Sequence, residues 1–186
     1  LHMYDLYTPI VKDVDFDIPY EECKEIIIKG LQPLKDEYIR VVKEGFNERW
    51  IDVYENKGKR SGAYSSGSYD SKPFILTNYQ NTLDSVFTVA HETGHSIHSY
   101  FTNKNQPFVY GNYSIFLAEV ASTCNEALLL KYMLDNVEDE KKKLYLLNHY
   151  LEQFRTTVFR QTMFAEFEKT IYEQVEKGEA LTADYL

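Results

Sequence analysis

The chain has 186 residues, of which 44% are hydrophobic and 15% aromatic, enough to bury one sizeable core. Its 20 Lys and Arg against 29 Asp and Glu give a formal net charge of −9. This balance, with no basic stripe, argues against a nucleic-acid partner and against an anionic membrane surface. No apolar run is long enough to cross a bilayer, so we expect no membrane partner. From its length we expect the chain to form a single globular domain over residues 1–186.

The two cysteines, Cys23 and Cys124, lie far apart and lack the spacing of metal ligands. Thiols used this sparingly are typical of a reducing compartment, so we expect a cytoplasmic protein. The first residues do not read as a natural start, and a helix N-cap at Thr182 comes just before the last residue. The chain is therefore interpreted as a piece of a longer protein.

The N-terminal part predicts two helices after an irregular start. Residues 1–18, which include the spaced acid Asp13, are predicted to be a loop or an extended segment. A helix is predicted to begin at Pro19, because proline suits a first helical turn, and to end or kink at Pro33. Apolar residues at helical spacing predict a second helix over residues 35–48.

The next segment, residues 50–81, is rich in turn residues and in β-forming residues. Residues 60–64 and, more clearly, residues 74–79 predict strands of a hairpin or of a small sheet. Such a strand, placed directly before a long helix, could pair with an extended peptide through its backbone. It could also only cover that helix, and the sequence leaves both interpretations open.

Residues 82–101 contain the strongest motif of the chain. Apolar residues recur there at helical spacing on more than one face, which predicts a buried helix. The helix carries His91, Glu92 and His95. Histidines four residues apart share a helix face and can bind one zinc ion, while the glutamate can take a proton from a zinc-bound water. The alternative is that these side chains are hydrogen-bonded in the core at a spacing that arose by chance.

Residues 113–134 predict a second buried helix, interrupted on one stripe by Glu119, Ser122 and Glu126. Carboxylates are rarely buried unless they are paired or bind metal, so this stripe is the source of a third ligand, Glu119. Ser122 and Glu126 could orient the histidine rings, or could belong to a hydrogen-bond network of the core. The apolar positions predicted to be buried are Phe116, Leu117, Val120, Ala121, Cys124, Ala127, Leu128 and Met133.

Two further side chains are predicted to lie beside this site. His98 is interpreted as a core or groove histidine rather than as a fourth ligand, because a fourth protein ligand would close the site. Tyr79, at the end of the second predicted strand, is assigned to the groove or to the surroundings of the ligands. Beyond a charged turn, a long helical pattern runs to about residue 177, as one helix or two, with Gly178 as its C-cap.

The chain resembles the thimet oligopeptidase family, and most closely its bacterial oligoendopeptidase F branch. The resemblance is carried by five stretches: His91-Glu-Thr-Gly-His-Ser-Ile-His98, Phe116-Leu-Ala-Glu-Val-Ala-Ser122 with Asn125-Glu126, Gly62-Ala-Tyr64, residues 68–75 and residues 105–111. It implies a mainly α fold, a helical zincin-type metallopeptidase core with a small sheet edge before the zinc helix. It also implies one zinc ion held by His91, His95 and Glu119, with Glu92 as general base and short oligopeptides as substrates.

Members of this family also carry a C-terminal segment rich in Tyr, with a His, that reaches over the zinc, and a large N-terminal helical part. This chain shows a match to neither. Losing transition-state hydrogen-bond donors can lower a rate by about 10²–10³. We therefore expect the 186-residue chain alone to bind zinc but to hydrolyse peptides poorly.

The function predicted from the sequence is that of a zinc-dependent endopeptidase acting on short oligopeptides. A zinc exopeptidase is the alternative among enzymes, because groups that recognise a peptide terminus could lie outside this chain. A non-catalytic helical module that binds metal or peptide is the alternative from another class. Glu92 argues against that module, since a purely structural metal site needs no base beside it.

Overall fold

The computed structural model of the protein describes residues 2–12 and 14–186. These residues form two compact units, one made of residues 2–12 with 139–186 and the other of residues 14–138. The expectation of a single domain stays a prediction. Leu1 and Asp13, both in the predicted irregular start, lie outside the described residues. No helix in the described ranges is both long enough and apolar enough to cross a membrane.

The larger unit combines helices with a small sheet, as the sequence predicted. Its helices are α1 (Tyr20–Gly30), α2 (Lys35–Asn47), α3 (Leu83–Asn105) and α4 (Ile115–Asn136). Its strands are β1 (Ile51–Asp52), β2 (Tyr64–Ser66) and β3 (Phe74–Leu76), and short 3-10 turns occupy Gln32–Leu34 and Phe108–Tyr110.

Pro19 and Pro33 delimit α1 as predicted. Pro19 is the N-cap residue of α1, and Glu21 and Glu22 follow in the first turn, where acidic side chains interact favourably with the helix dipole. Pro33 lies in the 3-10 turn that separates α1 from α2. Because proline has no backbone N–H and clashes with the preceding turn, the helical pattern is interrupted there.

The sheet has the strand order β1-β3-β2. Strand β1 pairs in parallel with β3, and β2 pairs antiparallel with β3, with Ser65 opposite Ile75. The strand predicted over residues 60–64 is wrong, since only Tyr64 belongs to β2. Gly62 has a φ of +89°, a left-handed conformation that ends extended structure there.

Helix α3 is buried along most of its length, which confirms the prediction for residues 82–101. It begins after Thr82, whose side chain accepts a hydrogen bond from the backbone N–H of Ser85. Helix α3 packs against α1, α2 and α4 and against β2 and β3. The buried residues are Leu83, Val86, Phe87, Val89, Ala90, Glu92, Thr93, Gly94, Ser96 and Ile97.

The predicted buried face of α4 is largely wrong. Phe116 is 75% exposed, and Leu117, Val120, Cys124 and Ala127 are exposed as well. The face that packs in the unit instead carries small and polar side chains in its first half, because α4 approaches α3 closely there. The buried residues of α4 are Ala118, Ser122, Asn125, Leu129, Leu130 and Met133, so only Met133 of the predicted set is fully buried.

The smaller unit contains α5 (Glu140–Phe154) and α6 (Arg160–Glu176), joined by a π-helical turn over Arg155–Phe159. The long helical pattern is therefore two helices. The C-cap residue of α6 is Lys177 rather than the predicted Gly178, which follows it with a φ of +82°, the left-handed conformation common after a helix end. The irregular start predicted over residues 1–18 is wrong for Met3–Tyr7, which form a 3-10 turn.

The two cysteines are free thiols in contrasting surroundings, which predicts unequal reactivity. Cys23 is fully buried in α1, where burial raises its thiol pKa to about 12, whereas Cys124 is exposed on α4. Because the thiolate is the reactive form, an aromatic disulfide reagent should label one thiol in the folded chain and both in denaturant. A Cys124→Ser variant should show no rapid labelling, and rapid labelling of both thiols in the folded chain would contradict the burial of Cys23.

Candidate metal centre

His91 and His95 of α3 point toward a common centre. Their Nε2 atoms lie 3.1 Å apart, and the ring planes of His91 and His95 are nearly perpendicular at 86°. Residues one helical turn apart on one face can be brought together in this way without bending the helix. Both rings are only partly buried, so the centre has an open side.

Glu119 of α4 reaches the same centre. Its carboxylate oxygens lie 3.5 Å from Nε2 of His91 and 3.8 Å from Nε2 of His95. Ligand atoms of the three residues all fall within 4.8 Å of one another. The structure thus brings together the three side chains that the sequence predicts as ligands.

The donor set and its spacing fit a tetrahedral metal ion. Zinc binds imidazole nitrogen and carboxylate oxygen at about 2.0–2.2 Å, which places tetrahedral ligand atoms about 3.3–3.6 Å apart. The observed separations bracket this range: 3.1 Å between the Nε2 atoms, 3.5 Å from His91 to Oε2 of Glu119 and 3.8 Å from His95 to its Oε1. Three protein ligands with an open side is also the arrangement of catalytic rather than structural zinc sites.

Glu92 lies directly beside the cluster and is buried, with 7% of its surface exposed. Burial raises the pKa of its carboxyl group, and the negative charge of Glu119 adds to this effect. The charge of His91 and the backbone N–H of Ser65, which donates a hydrogen bond to the carboxylate, act in the opposite direction. Glu92 of α3 thus lies in contact with β2 through the backbone of Ser65.

Glu126 of α4 fixes the orientation of the His91 ring. Its Oε1 lies 2.5 Å from Nδ1 of His91, which leaves Nε2 directed at the centre. Burial acts to lower the pKa of His91, but the hydrogen bond and the charge of Glu126 outweigh it and raise the pKa. This contact is the one expected of a ring-orienting side chain, and that role of Glu126 stays a prediction.

His95 is supported by the backbone of α4, because its ring donates a hydrogen bond to the carbonyl of Ala118. Burial lowers the pKa of His95, and the nearby His91 lowers it further, so the neutral ring is favoured. A neutral imidazole with one nitrogen engaged in this way presents the other as a metal ligand. Sequence analysis missed Ala118, since a backbone acceptor has no side-chain signal.

Polar side chains of α4 complete the support. Ser122 is fully buried and donates a hydrogen bond of 3.0 Å to Oε2 of Glu119. Asn125, also fully buried, donates to the carbonyl of Ala90 at 3.1 Å and accepts from the hydroxyl of Tyr38 at 2.8 Å. Sequence analysis did not select Asn125 as a site residue, although it lies three residues after Ser122 on the same face of the helix.

Two of the predicted site residues, His98 and Tyr79, make contacts with residues other than the three candidate ligands. The ring of His98 stacks on Tyr113 at 4.1 Å, and its Nδ1 is buried with no hydrogen-bond partner in the described part of the chain. The hydroxyl of Tyr79 donates to the carbonyl of Ile18 at 2.7 Å, and its ring packs on Tyr20. These contacts place Tyr79 in the packing around α1, and the groove assignment of both residues stays a prediction.

Comparisons with known proteins place the chain in a peptidase family. Residues 1–186 match the family described as Peptidase family M3, and the chain belongs to this family. It is 61% identical over 186 residues to Oligopeptidase PepF of Bacillus subtilis, covering 100% of this chain and 28% of that protein. It is 55% identical over 184 residues to the chromosomal Oligoendopeptidase F of Lactococcus lactis subsp. cremoris, covering 99% and 30%.

Solved structures show the same fold. A crystal structure of oligoendopeptidase-F from Enterococcus faecium matches with a TM-score of 0.60 at 37% identity, covering 100% of this chain and 25% of that one. A Chlamydophila abortus protein matches with a TM-score of 0.83 at 46% identity, covering 100% and 31%. The chain thus spans less than a third of the length of these relatives.

Asn125 should matter for stability because it joins α4 to two other helices. Asn125→Ala leaves the buried hydroxyl of Tyr38 and the carbonyl of Ala90 without this partner, so the free energy of unfolding should fall by about 1–3 kcal/mol. Asn136→Ala, which removes an exposed side-chain contact at the end of the same helix, should change it by less than about 0.5 kcal/mol. Denaturant titration measures both, and equal effects would contradict the bridging role of Asn125.

Proposed function

We propose that this chain is the metal-binding part of a zinc-dependent endopeptidase that hydrolyses short oligopeptides. The observation that carries the proposal is the convergence of His91, His95 and Glu119 from two helices, beside the buried carboxylate of Glu92. Membership of Peptidase family M3 supports it. The names of the relatives, oligopeptidase and oligoendopeptidase, support oligopeptides as the substrate class and internal peptide bonds as the site of cleavage.

His91, His95 and Glu119 would hold one zinc ion. Zinc bound in such a site lowers the pKa of water and polarises a carbonyl group. The chain contributes the fixed geometry: Glu126 and the Ala118 carbonyl orient the rings, and Ser122 holds the carboxylate of Glu119. The open side of the cluster leaves room for water and a peptide carbonyl.

Glu92 would act as the general base and acid. It would take a proton from the attacking water and pass it to the nitrogen of the leaving amine. Its burial and the resulting rise in its pKa suit this exchange, because a carboxylate that is more basic than usual accepts a proton more readily. A structural metal site has no use for such a group, which supports the enzyme over the non-catalytic module.

A peptide would bind along β2, which is an edge strand of the sheet. Ser65 stands opposite Ile75 of β3, but its N–H donates to Glu92 instead of to β3. In an antiparallel strand the N–H and C=O of one residue point to the same side, so the carbonyl of Ser65 also faces the open edge. It is available to accept a hydrogen bond from the backbone of an extended peptide that lies beside Glu92.

We also propose a reducing, cytoplasmic compartment. The support is that Cys23 and Cys124 are both free thiols, and free thiols are usual where glutathione and thioredoxin keep cysteines reduced.

Removing the carboxylate ligand tests the zinc site directly. Glu119→Ala should weaken zinc binding by more than about 100-fold, since even groups that only support a ligand contribute 10–100-fold. Asp135→Ala, which removes an exposed acid that pairs with Lys131 on the same helix, should leave the affinity unchanged. Calorimetric titration with zinc should give one ion per unsubstituted chain, and equal affinities of the two variants would contradict Glu119 as a ligand.

Replacing the base separates chemistry from metal binding. Glu92→Gln should keep zinc affinity within about threefold but lower peptide turnover by about 10²–10⁴, the usual contribution of a general base. Turnover is measured with a quenched peptide on a form of the protein as long as its relatives, and zinc binding on the same sample. Full turnover by the Glu92→Gln variant would contradict the assignment of Glu92 as the general base.

A further inference from the structure

Gly94, between His91 and His95 of α3, lies where α3 packs closely against α4. A Cβ atom built on Gly94 would lie 2.7 Å from the Cα of Ser122, 2.8 Å from the carbonyl oxygen of Ala121 and 3.0 Å from the backbone N of Ser122. All of these atoms belong to the backbone of α4, so no side-chain rotation could relieve the clash. Glycine is therefore required for the helices to approach this closely.

Hydrogen bonds between α3 and α4 lie on both sides of the contact at Gly94. In one direction along α3, the ring of His95 donates to the carbonyl of Ala118. In the other direction, Asn125 donates to the carbonyl of Ala90 at 3.1 Å. The two helices run antiparallel through these contacts, and Gly94 lies between them.

Glu119 depends on this distance because it belongs to α4 while both histidines belong to α3. Its carboxylate is tied to Ser122 by a hydrogen bond of 3.0 Å, and Ser122 is the residue that Gly94 contacts. A displacement of Ser122 would therefore move the carboxylate relative to His91 and His95.

The size of the displacement can be compared with what a metal site tolerates. Carbon atoms in van der Waals contact lie about 3.5–4.0 Å apart. An alanine at position 94, at 2.7 Å from Ser122, would thus push the helices apart by about 0.8 Å or more. Metal sites hold their ligand distances to within about 0.2 Å, so this shift exceeds the tolerance of the cluster.

We propose that Gly94 is a positioning residue, which sets the reach of Glu119 to the histidines by allowing α4 to contact α3 at Ser122. The inference rests on the proposed function of the cluster as a zinc site. It extends that function to a residue that has no side chain and touches neither metal nor substrate.

The test compares glycines that make similar contacts with α4 in different places. Gly94→Ala should lower zinc affinity by about 10–100-fold, the cost typical of losing support for a ligand. Gly30→Ala is the control, because its Cβ would also meet α4, at 3.0 Å from Cδ1 and 3.2 Å from Cα of Leu129, away from the cluster. Both variants should lower the thermal midpoint, but Gly30→Ala should bind zinc as the unsubstituted chain does.

Zinc affinity is measured by competition with a chromophoric chelator, in sucrose so that each variant remains folded, and folding is checked by circular dichroism. The decisive comparison repeats Gly94→Ala in a Glu119→Ala background. Because Gly94 acts through Glu119, the further loss of affinity should there shrink to less than about threefold, a non-additive result.

Three results would overturn the role of Gly94: unchanged zinc affinity in Gly94→Ala, an equal loss in Gly30→Ala, or an equal loss with and without Glu119. Failure of the unsubstituted chain to bind zinc is a different result. It would overturn the proposed zinc site itself, and the role of Gly94 together with it.

Discussion

The close antiparallel contact between α3 and α4 is the constraint on which the candidate metal centre depends. Both histidines come from α3, whereas Glu119 and the groups that hold the rings, Glu126 and the carbonyl of Ala118, come from α4. Neither helix alone contains all three ligands, and the groups that hold the rings of His91 and His95 come from the opposite helix. The geometry of the centre is therefore a property of the helix crossing, and any change in the crossing changes several ligand contacts at once.

The same contact concentrates charge that would be unfavourable without a counter-ion. Three carboxylates, Glu92, Glu119 and Glu126, surround His91 in a partly buried site, and the charges of Glu119 and Glu126 both contribute to the raised pKa of Glu92. Like charges in a medium of reduced dielectric constant repel one another strongly. A divalent cation between the helices would offset this repulsion. The arrangement thus costs stability when no cation is bound and favours the binding of one, which is how metal binding becomes linked to folding.

Sequence patterns correctly predicted the features that depend on local signals. They failed for features that depend on which element a helix or strand packs against. The start of α1 and its interruption followed from Pro19 and Pro33, and the shared face of His91 and His95 followed from helical spacing. The predicted buried face of α4 was largely wrong because it was chosen from apolar residues, whereas the face that packs against α3 carries Ala118, Ser122 and Asn125. Strand β1 has two residues and is paired with β3, and a segment this short shows no recognisable strand pattern in the sequence. Gly94 could not be recognised at all, because its role lies in the backbone atoms of α4 that it contacts.

Strand β2 was poorly predicted from the sequence, although it lies beside the proposed base, Glu92. Its serines are weak strand formers, and no strand was predicted over Ser65 and Ser66. Yet Ser65 donates its backbone N–H to Glu92, while its hydroxyl lies 2.7 Å from that of Ser96 on α3. One residue thus joins the edge strand to the helix that carries the base. If a peptide pairs with that edge as proposed, the residue that places the peptide also places Glu92. The low strand propensity of serine is overridden at this position, because the contact of Ser65 with Glu92 matters more there than the stability of the strand. Such conflicts between local preference and structure are expected at functional sites.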